Sequence, residues 1–364
     1  MRQLHKTLHI AIKKLIIPIA LFISYHQVAV AQDTVQNKRI KVLPVPTFGY
    51  TPETSTYIGA VALFTIDFYQ DGLTRTSNTK IEFSYTWNRQ LILETQWNYF
   101  FREEKWFTRG DIHFSKYPDL YYGIGAKTPD ENELKFESNR VITDMDMLRR
   151  IKKDVFAGVG LRYLNYSNLS FYDSINPFPE LRNSSNFGIK LIYLKDSRNN
   201  ILNPSKGRYL ELLNTHNFGS DYYSLVGFDF RRYYEMKYNN EHVLAARFYT
   251  TFILGTPSFY DYSLIGGDKY VRGYFYGRYR DQNFSTLQLE YRCHLFWRIG
   301  LAGFGGISMI YNSIGDIDEN TFKPNGGIGL RILVDKSENT NLRIDYAVGA
   351  NGQNGIYFTF GESF

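Results

Sequence analysis

From Ile40 to Phe364, apolar and polar residues alternate with period two in short blocks separated by turn residues, the signature of β-strands with one greasy and one polar face. Sixteen candidate strands are read near residues 41–50, 56–67, 78–88, 91–101, 105–115, 133–149, 154–165, 186–195, 208–217, 222–237, 242–254, 285–297, 299–311, 326–335, 341–349 and 355–364. The pattern is clearest at the end of the chain. There Ile356, Phe358, Phe360 and Phe364 share one parity and Tyr357, Thr359, Gly361 and Ser363 the other, with Glu362 interrupting the apolar set. In the preceding strand Leu342, Ile344, Tyr346 and Val348 alternate with Arg343, Asp345, Ala347 and Gly349. In the twelfth, Leu287, Leu289, Tyr291, Cys293, Leu295 and Trp297 alternate with Gln288, Glu290, Arg292, His294 and Arg298. Periodicity does not say which face is inside, because a soluble sandwich alternates in the same way. Strand number decides: a closed sheet of this many strands has a lumen too wide for side chains to fill, so its polar face lines the interior. The expected fold is an all-β transmembrane antiparallel barrel with both termini on the periplasmic side.

Composition agrees with that direction. Beyond the first thirty residues no window approaches the ~20 consecutive apolar residues of a membrane-spanning helix. Thirty Tyr and 28 Phe accompany a mean hydropathy of only −0.34, as suits alternating strands with aromatic girdles at the two membrane interfaces. At the N-terminus Arg2, Lys6, Lys13 and Lys14 precede an apolar stretch from Leu15 to Ile23 and the small-residue site Ala29-Val30-Ala31. This reads as a signal peptide over 1–31, cut before Gln32, followed by a short periplasmic segment 32–39 and a barrel over 40–364. Cys293 is the one cysteine, so no internal disulfide is available. A net charge of +6 suggests attraction to acidic lipid headgroups, with outer-membrane lipid and lipopolysaccharide as the expected surroundings. The basic residues form no concentrated block, and export argues against nucleic acid as a partner.

Catalytic chemistry finds little footing. After the signal segment only His113, His216, His242 and His294 remain, with no His-x-x-x-His or Cys/His spacing for a metal. No Gly-x-Ser-x-Gly elbow or P-loop occurs, and Gly303 to Gly306 reads as small residues within a strand. The expectation is no cofactor, no metal and no enzyme, the residual alternative being a membrane hydrolase whose Ser, His and acid converge only in three dimensions.

Three motifs give the chain a family resemblance. The longest loop, Gly255 to Asn283, carries Gly266-Gly267-Asp268-Lys269-Tyr270-Val271-Arg272-Gly273-Tyr274. Asp196-Ser197-Arg198-Asn199-Asn200 is followed by Asn203-Pro204 and Lys206-Gly207 between the eighth and ninth strands. The chain ends on a strand containing Tyr357, Phe358 and Phe360 and on the aromatic Phe364. Together these resemble the BamA/TamA-like family of outer-membrane barrels, also called the bacterial surface antigen family. Its hallmark is a Val-Arg-Gly-Tyr or Val-Arg-Gly-Phe tip on the sixth outer loop, folded into the lumen. The resemblance covers residues 40 to 364.

The resemblance implies that an acidic residue on the inner wall of the last strands holds Arg272, and parity offers Asp345 first and Glu290 second. An arginine keeps its charge and requires such a partner inside a barrel. Tyr270 and Tyr274 would wedge the tip against the wall. The turn residues Asp196, Arg198, Asn200, Pro204 and Gly207 match the family's Asp-x-Arg-x-Asn…Pro-x-x-Gly, and the terminal aromatics match the signal that barrel-assembly machinery reads in its clients. Two departures stand out. Many members carry Phe-x-Asp-x-Gly in the thirteenth strand, where this chain has Phe304-Gly305-Gly306-Ile307. Family members also place periplasmic POTRA domains before the barrel, and none is read here. The implied role is protein insertion into, or translocation across, the outer membrane, with a separate periplasmic partner supplying capture. A passive pore or structural barrel is the alternative.

Overall fold

The computed structural model describes residues 40–51, 55–172, 178–236, 242–336 and 339–364. The expected signal peptide 1–31 and segment 32–39 lie outside the described residues. Eighteen strands follow in chain order: β1 (Ile40–Thr51), β2 (Ser55–Ile66), β3 (Ser77–Thr86), β4 (Leu91–Phe100), β5 (Trp106–Tyr121), β6 (Leu134–Lys152), β7 (Val155–Phe171), β8 (Ser184–Asp196), β9 (Gly207–Gly219), β10 (Tyr223–Glu235), β11 (His242–Gly255), β12 (Ser263–Ile265), β13 (Tyr279–Asp281), β14 (Asn283–Phe296), β15 (Ile299–Tyr311), β16 (Phe322–Asp335), β17 (Thr340–Gly349) and β18 (Asn354–Phe360). Sixteen of them form one sheet in sequence order, all neighbours antiparallel, with β12 and β13 as a separate small hairpin between β11 and β14. The sixteen-stranded expectation holds, and the hairpin inside the long loop is an addition to it.

Polarity is inverted relative to a soluble protein. On β14, Leu287, Leu289, Tyr291 and Leu295 are 41–50% exposed, while Gln288, Glu290 and Arg292 are at most 5% exposed. On β8, Phe187, Ile189, Leu191 and Tyr193 face out and Asn186 and Lys190 are buried. The greasy face therefore points away from the barrel axis and the polar face lines the lumen, which places the hydrophobic surface against lipid. Tight hairpins on the periplasmic side keep the register. The β6–β7 turn places Asp154 at φ 60°, and the β14–β15 turn places Trp297 at φ 53°, the left-handed geometry that two-residue hairpins use.

The wall is uneven. β5 to β7 run 16, 19 and 17 residues, whereas β18 has seven, below the roughly 9–11 of a membrane-crossing strand. β1 lies alongside β18, yet no ladder joins them among the described residues, so the barrel is nearly closed, with its seam at that place.

The last strand is the main correction. Expected over 355–364, it ends at Phe360, because Gly361 takes φ +79° and its N–H returns to the Asn341 carbonyl at 2.9 Å. The chain then turns under the barrel. Phe364 does not continue the lipid-facing row; it is 2% exposed, buried with Tyr233 and Ala245. Glu362, the exception in the alternation, is a lumen residue for the same reason.

Candidate functional site: the loop in the lumen

The loop between β11 and β14 (256–282) is anchored at its outer end and reaches inward with its tip. Its Arg278 donates to the Thr128 hydroxyl and carbonyl at 2.8 and 2.7 Å and pairs with Asp130 at 2.6 Å, on the β5–β6 loop. Asp261, near the loop's start, accepts from Arg162 Nη2 at 3.3 Å and from the Tyr223 hydroxyl. Burial pushes the Asp261 carboxyl up, against the pull of the Arg162 guanidinium.

At the tip Val271, Arg272 and Tyr274 are fully or almost fully buried. Arg272 Nη1 meets the Asp345 carboxylate, and its Nη2 lies 2.6 Å from Glu290 Oε2. Sequence reading ranked the two acids as alternatives, and the structure brings both to the same guanidinium. A planar donor fork bridges two acids in a way that a lysine ammonium does not. The guanidinium carbon also sits 3.4 Å from the centroid of the Phe304 ring.

The cluster extends beyond these three groups. Arg331 Nη1 is 2.6 Å from Asp345 Oδ1 and its Nε 2.8 Å from Glu362 Oε2. Arg292 Nε is 2.7 Å from Glu290 Oε1, and Arg343 lies 3.5 Å from Asp345 and 3.4 Å from Asp268. The carboxylates of Glu290, Asp345 and Glu362 have no solvent exposure, so the alternation of acids and guanidinia is what makes burying the charges tolerable. Sequence reading missed Arg331, Arg292, Glu362 and Phe304 as members of the cluster. Lumen parity pointed to Arg292, while Glu362 was hidden by the assumed strand.

Backbone and hydroxyl contacts lock the tip. Gly273 N–H donates to Tyr357 Oη at 3.0 Å, and Tyr357 Oη donates to the Tyr274 carbonyl at 3.4 Å. Tyr274 Oη donates to the Pro324 carbonyl at 2.6 Å and accepts from Ala350 N at 2.8 Å. Gly273 has φ +104°, and a Cβ there would stand 2.6 Å from the Val348 carbonyl carbon, so this position needs glycine. At Gly306, where the resemblance led to the expectation of a strand aspartate, a Cβ would stand 2.7 Å from the Leu287 carbonyl oxygen, and the neighbouring Asn325 donates from Nδ2 to the Arg272 carbonyl at 2.9 Å. Tyr270 packs against Tyr249, ring centroids 4.7 Å apart.

The other two motifs meet at the periplasmic mouth. Asp196 accepts from Arg198 Nε and Nη2, each at 2.9 Å, and from Arg75 at 3.3 Å. Asn200 Oδ1 accepts from the N–H of Leu202 and of Asn203, and Gly207 adopts φ +99° against the Ser197 carbonyl. This turn is tied to the C-terminal tail, because Glu362 N–H donates to the Leu202 carbonyl at 2.7 Å. Arg292 donates to both the Pro204 carbonyl (3.1 Å) and Phe364 O (2.8 Å). Of the terminal aromatics, Tyr357 points inward onto the loop tip and Phe364 is buried at the mouth, while Phe358 and Phe360 are half-buried.

Between the loop and the opposite wall remains a cavity of about 450 Å³ lined by charged and aromatic side chains, among them Trp97, Arg109, Asp111, Lys190, Tyr209 and Glu211. Among the described residues no group of His, Cys, Asp or Glu is arranged to hold a metal ion.

A nearly closed, inside-out sheet of sixteen strands with a loop tip ion-paired in its lumen defines an outer-membrane β-barrel. The chain belongs to the Omp85 superfamily, whose domain matches residues 67–364. Among solved structures it is similar to BamA from Haemophilus ducreyi lacking POTRA domains 1-3, with 12% identity and a TM-score of 0.55 over 89% of this chain and 70% of that one. It is also similar to CdiB from Acinetobacter baumannii (12% identity, TM-score 0.59, 89% of this chain and 60% of that one). CdiB from Escherichia coli matches at 10% identity and TM-score 0.56, over 90% of this chain and 63% of that one. At such identities the likeness is one of fold, and the chain spans about three-fifths of the length of the CdiB chains. Comparison with curated proteins finds no match.

Proposed function

We propose that this barrel carries polypeptide into or across the outer membrane, and that the loop bearing Arg272 is the latch that keeps the lumen shut between clients. The observation that carries the reading is the buried bridge from Arg272 to Asp345 and Glu290, which holds a mobile type of element, a long loop, against the inner wall at β17, the neighbour of the last strand, and at β14. Membership of the Omp85 superfamily and the fold shared with BamA and CdiB support it. A periplasmic partner delivers the client, and barrel-assembly machinery inserts the barrel itself by way of its C-terminal strand. The test is a deletion strain: the abundance of particular outer-membrane or surface proteins falls, and wild-type protein restores it whereas Arg272→Ala does not. An unchanged outer-membrane and surface proteome sinks the proposal.

A second reading, a passive pore, draws on the charged cavity beside the loop. It requires ion conductance in planar bilayers, at least after Arg272→Ala, and silence of both proteins removes it.

A further inference from the structure

Neighbouring strands β9 and β10 set two arginines against each other, because Arg208 and Arg232 are partners in the ladder. Strand parity puts both on the lipid side. Tyr209, next to Arg208, is buried in the lumen, where its hydroxyl accepts from Arg109, and Arg231 and Tyr233, on either side of Arg232, also turn inward. Residues directly opposite on one face of an antiparallel pair have Cβ atoms about 4.5–5.5 Å apart, and like charges there repel. Lys195 of β8 adds a third cation. Its neighbours Leu194 and Asp196 are buried on the lumen side, and it pairs with Leu210, which makes it the diagonal neighbour of Arg208 on the lipid face.

Among the described residues no carboxylate offsets this charge. Lys195, Arg208 and Arg232 form no ion pair, and Arg232 Nε is buried without a hydrogen-bond partner. The acids at this end of the strands are taken, Glu235 by Lys206 and Asp196 by Arg198 and Arg75. Around the pair on the lipid side stand Leu210, Phe230, Tyr234 and Ala246, none of them acidic. The Arg232 guanidinium carbon lies 4.9 Å from the centroid of the Tyr234 ring, which holds the plane of its donor fork. Arg208 is the second residue of β9, and Arg232 stands three residues before the end of β10, so the patch lies at the periplasmic interface of the membrane. Deeper in the bilayer the same strands carry a shallow groove of about 440 Å³, lined on the lipid side by Ala157, Leu191, Tyr193, Leu212, Asn214 and Val226. Leu212 is four residues along β9 from Arg208, about 13 Å in an extended strand, which is within the length of one acyl chain.

We infer that Lys195, Arg208 and Arg232 form a binding site for an anionic phospholipid of the periplasmic leaflet. Its phosphodiester bridges the two guanidinia, Lys195 supports the charge, and one acyl chain runs past Leu210 into the groove. Guanidinium forks match phosphate oxygens, and the anion removes the repulsion between the paired arginines. A headgroup without an amine fits, because an ammonium there would meet Lys195. The inference stands apart from what the barrel transports.

Native mass spectrometry of the barrel released from detergent micelles, after titration with phosphatidylglycerol or with phosphatidylcholine of the same chain length, tests the site. The wild type is expected to hold one phosphatidylglycerol about tenfold or more tightly than phosphatidylcholine. Arg208→Gln/Arg232→Gln abolishes that preference, whereas Lys152→Gln/Lys153→Gln, an equal loss of charge at the neighbouring β6–β7 turn, keeps it. Leu212→Trp, which fills the groove and leaves every charge in place, weakens phosphatidylglycerol severalfold. Equal binding of the two lipids by the wild type overturns the inference, as does loss of the preference in the Lys152/Lys153 control or an unchanged affinity in Leu212→Trp. Displacement of the lipid by inorganic phosphate at millimolar concentration also overturns it, since the site would then be one for a free anion. Should the double variant not fold, Arg208→Gln alone, at the more exposed member of the pair, carries the comparison.

Discussion

Arg272 and Asp345, 73 residues apart in the chain, form an ion pair with almost no exposure to solvent. The two partners are not equally replaceable. Arg272→Ala leaves Asp345 with Arg331 at 2.6 Å and Glu290 with Arg292 at 2.7 Å, so both acids keep a counter-charge. Asp345→Ala instead takes a shared acid from Arg272, Arg331 and Arg343 together. Removing one partner of a buried pair costs roughly 3–5 kcal/mol. Arg272→Ala is expected at or below the lower end and Asp345→Ala toward the upper, with the double change costing less than the two added. The midpoint of the heat-modifiable mobility shift reads the order. Equal, additive effects would mean that the cluster does not act as one unit.

The tip depends on shape as much as on charge. A Cβ on Gly349 would lie 2.6 Å from the Tyr274 ring, whereas one on Gly303 would meet nothing within 4 Å. Gly349→Ala is therefore expected to push Tyr274 off the Pro324 carbonyl and destabilise the barrel by about 1–3 kcal/mol. Gly303→Ala serves as the neutral control. Protease cleavage within 266–275 should rise for the first variant and stay at the wild-type level for the second; equal cleavage would show that the ring does not hold the tip.

How far the sequence foretold this site follows from how rigid each rule is. Side-chain alternation in a strand has no freedom, so parity alone placed Glu290 and Asp345 in the lumen, and the sixteen strands emerged from the same period. Parity carries no information past a strand's end. Gly361 turns the chain out of the sheet, and with that turn Glu362 enters the cluster and Phe364 leaves the lipid face. Phe304 was not singled out, although it shares the inward parity of Ala302 and Ser308 on its strand, and it stacks on a guanidinium inside. The exchange of the usual strand aspartate for Gly306 left the arginine's partners open on paper. Three dimensions supply Glu290 from β14 and Asp345 from β17, and only the fold brings those strands to one loop.

Phe364 offers a way to separate folding from recognition. Its ring is buried with Tyr233 and Ala245, and its backbone oxygen accepts from Arg292, which also holds Pro204 of the β8–β9 turn. Phe364→Ala should cost on the order of 3 kcal/mol by loss of buried area and expose the turn over 197–206 to protease. Refolding the purified variant in detergent, beside its assembly in cells, divides the roles. A loss confined to cells marks Phe364 as an assembly signal, and a loss in both shows that the tail also braces the periplasmic mouth.

The base of the loop carries a pH dependence of definite sign. Burial holds the Asp261 carboxyl above its ordinary value despite Arg162, so the folded barrel binds this proton more tightly than the unfolded chain. The resulting stability is fully present below the ordinary aspartate value, about 3.9, and is lost as pH rises through the raised folded value. Asp261→Asn removes the titration while keeping a side chain of the same shape that the Tyr223 hydroxyl can still reach. Heat-shift midpoints taken from about pH 4 to pH 8 should therefore bring wild type and Asp261→Asn together in acid and leave the variant the more heat-resistant at the alkaline end. A gap of constant size would show that the proton on Asp261 is not coupled to folding. A wild type that gains on the variant as pH rises would mean that the ion pair with Arg162 outweighs burial at this anchor.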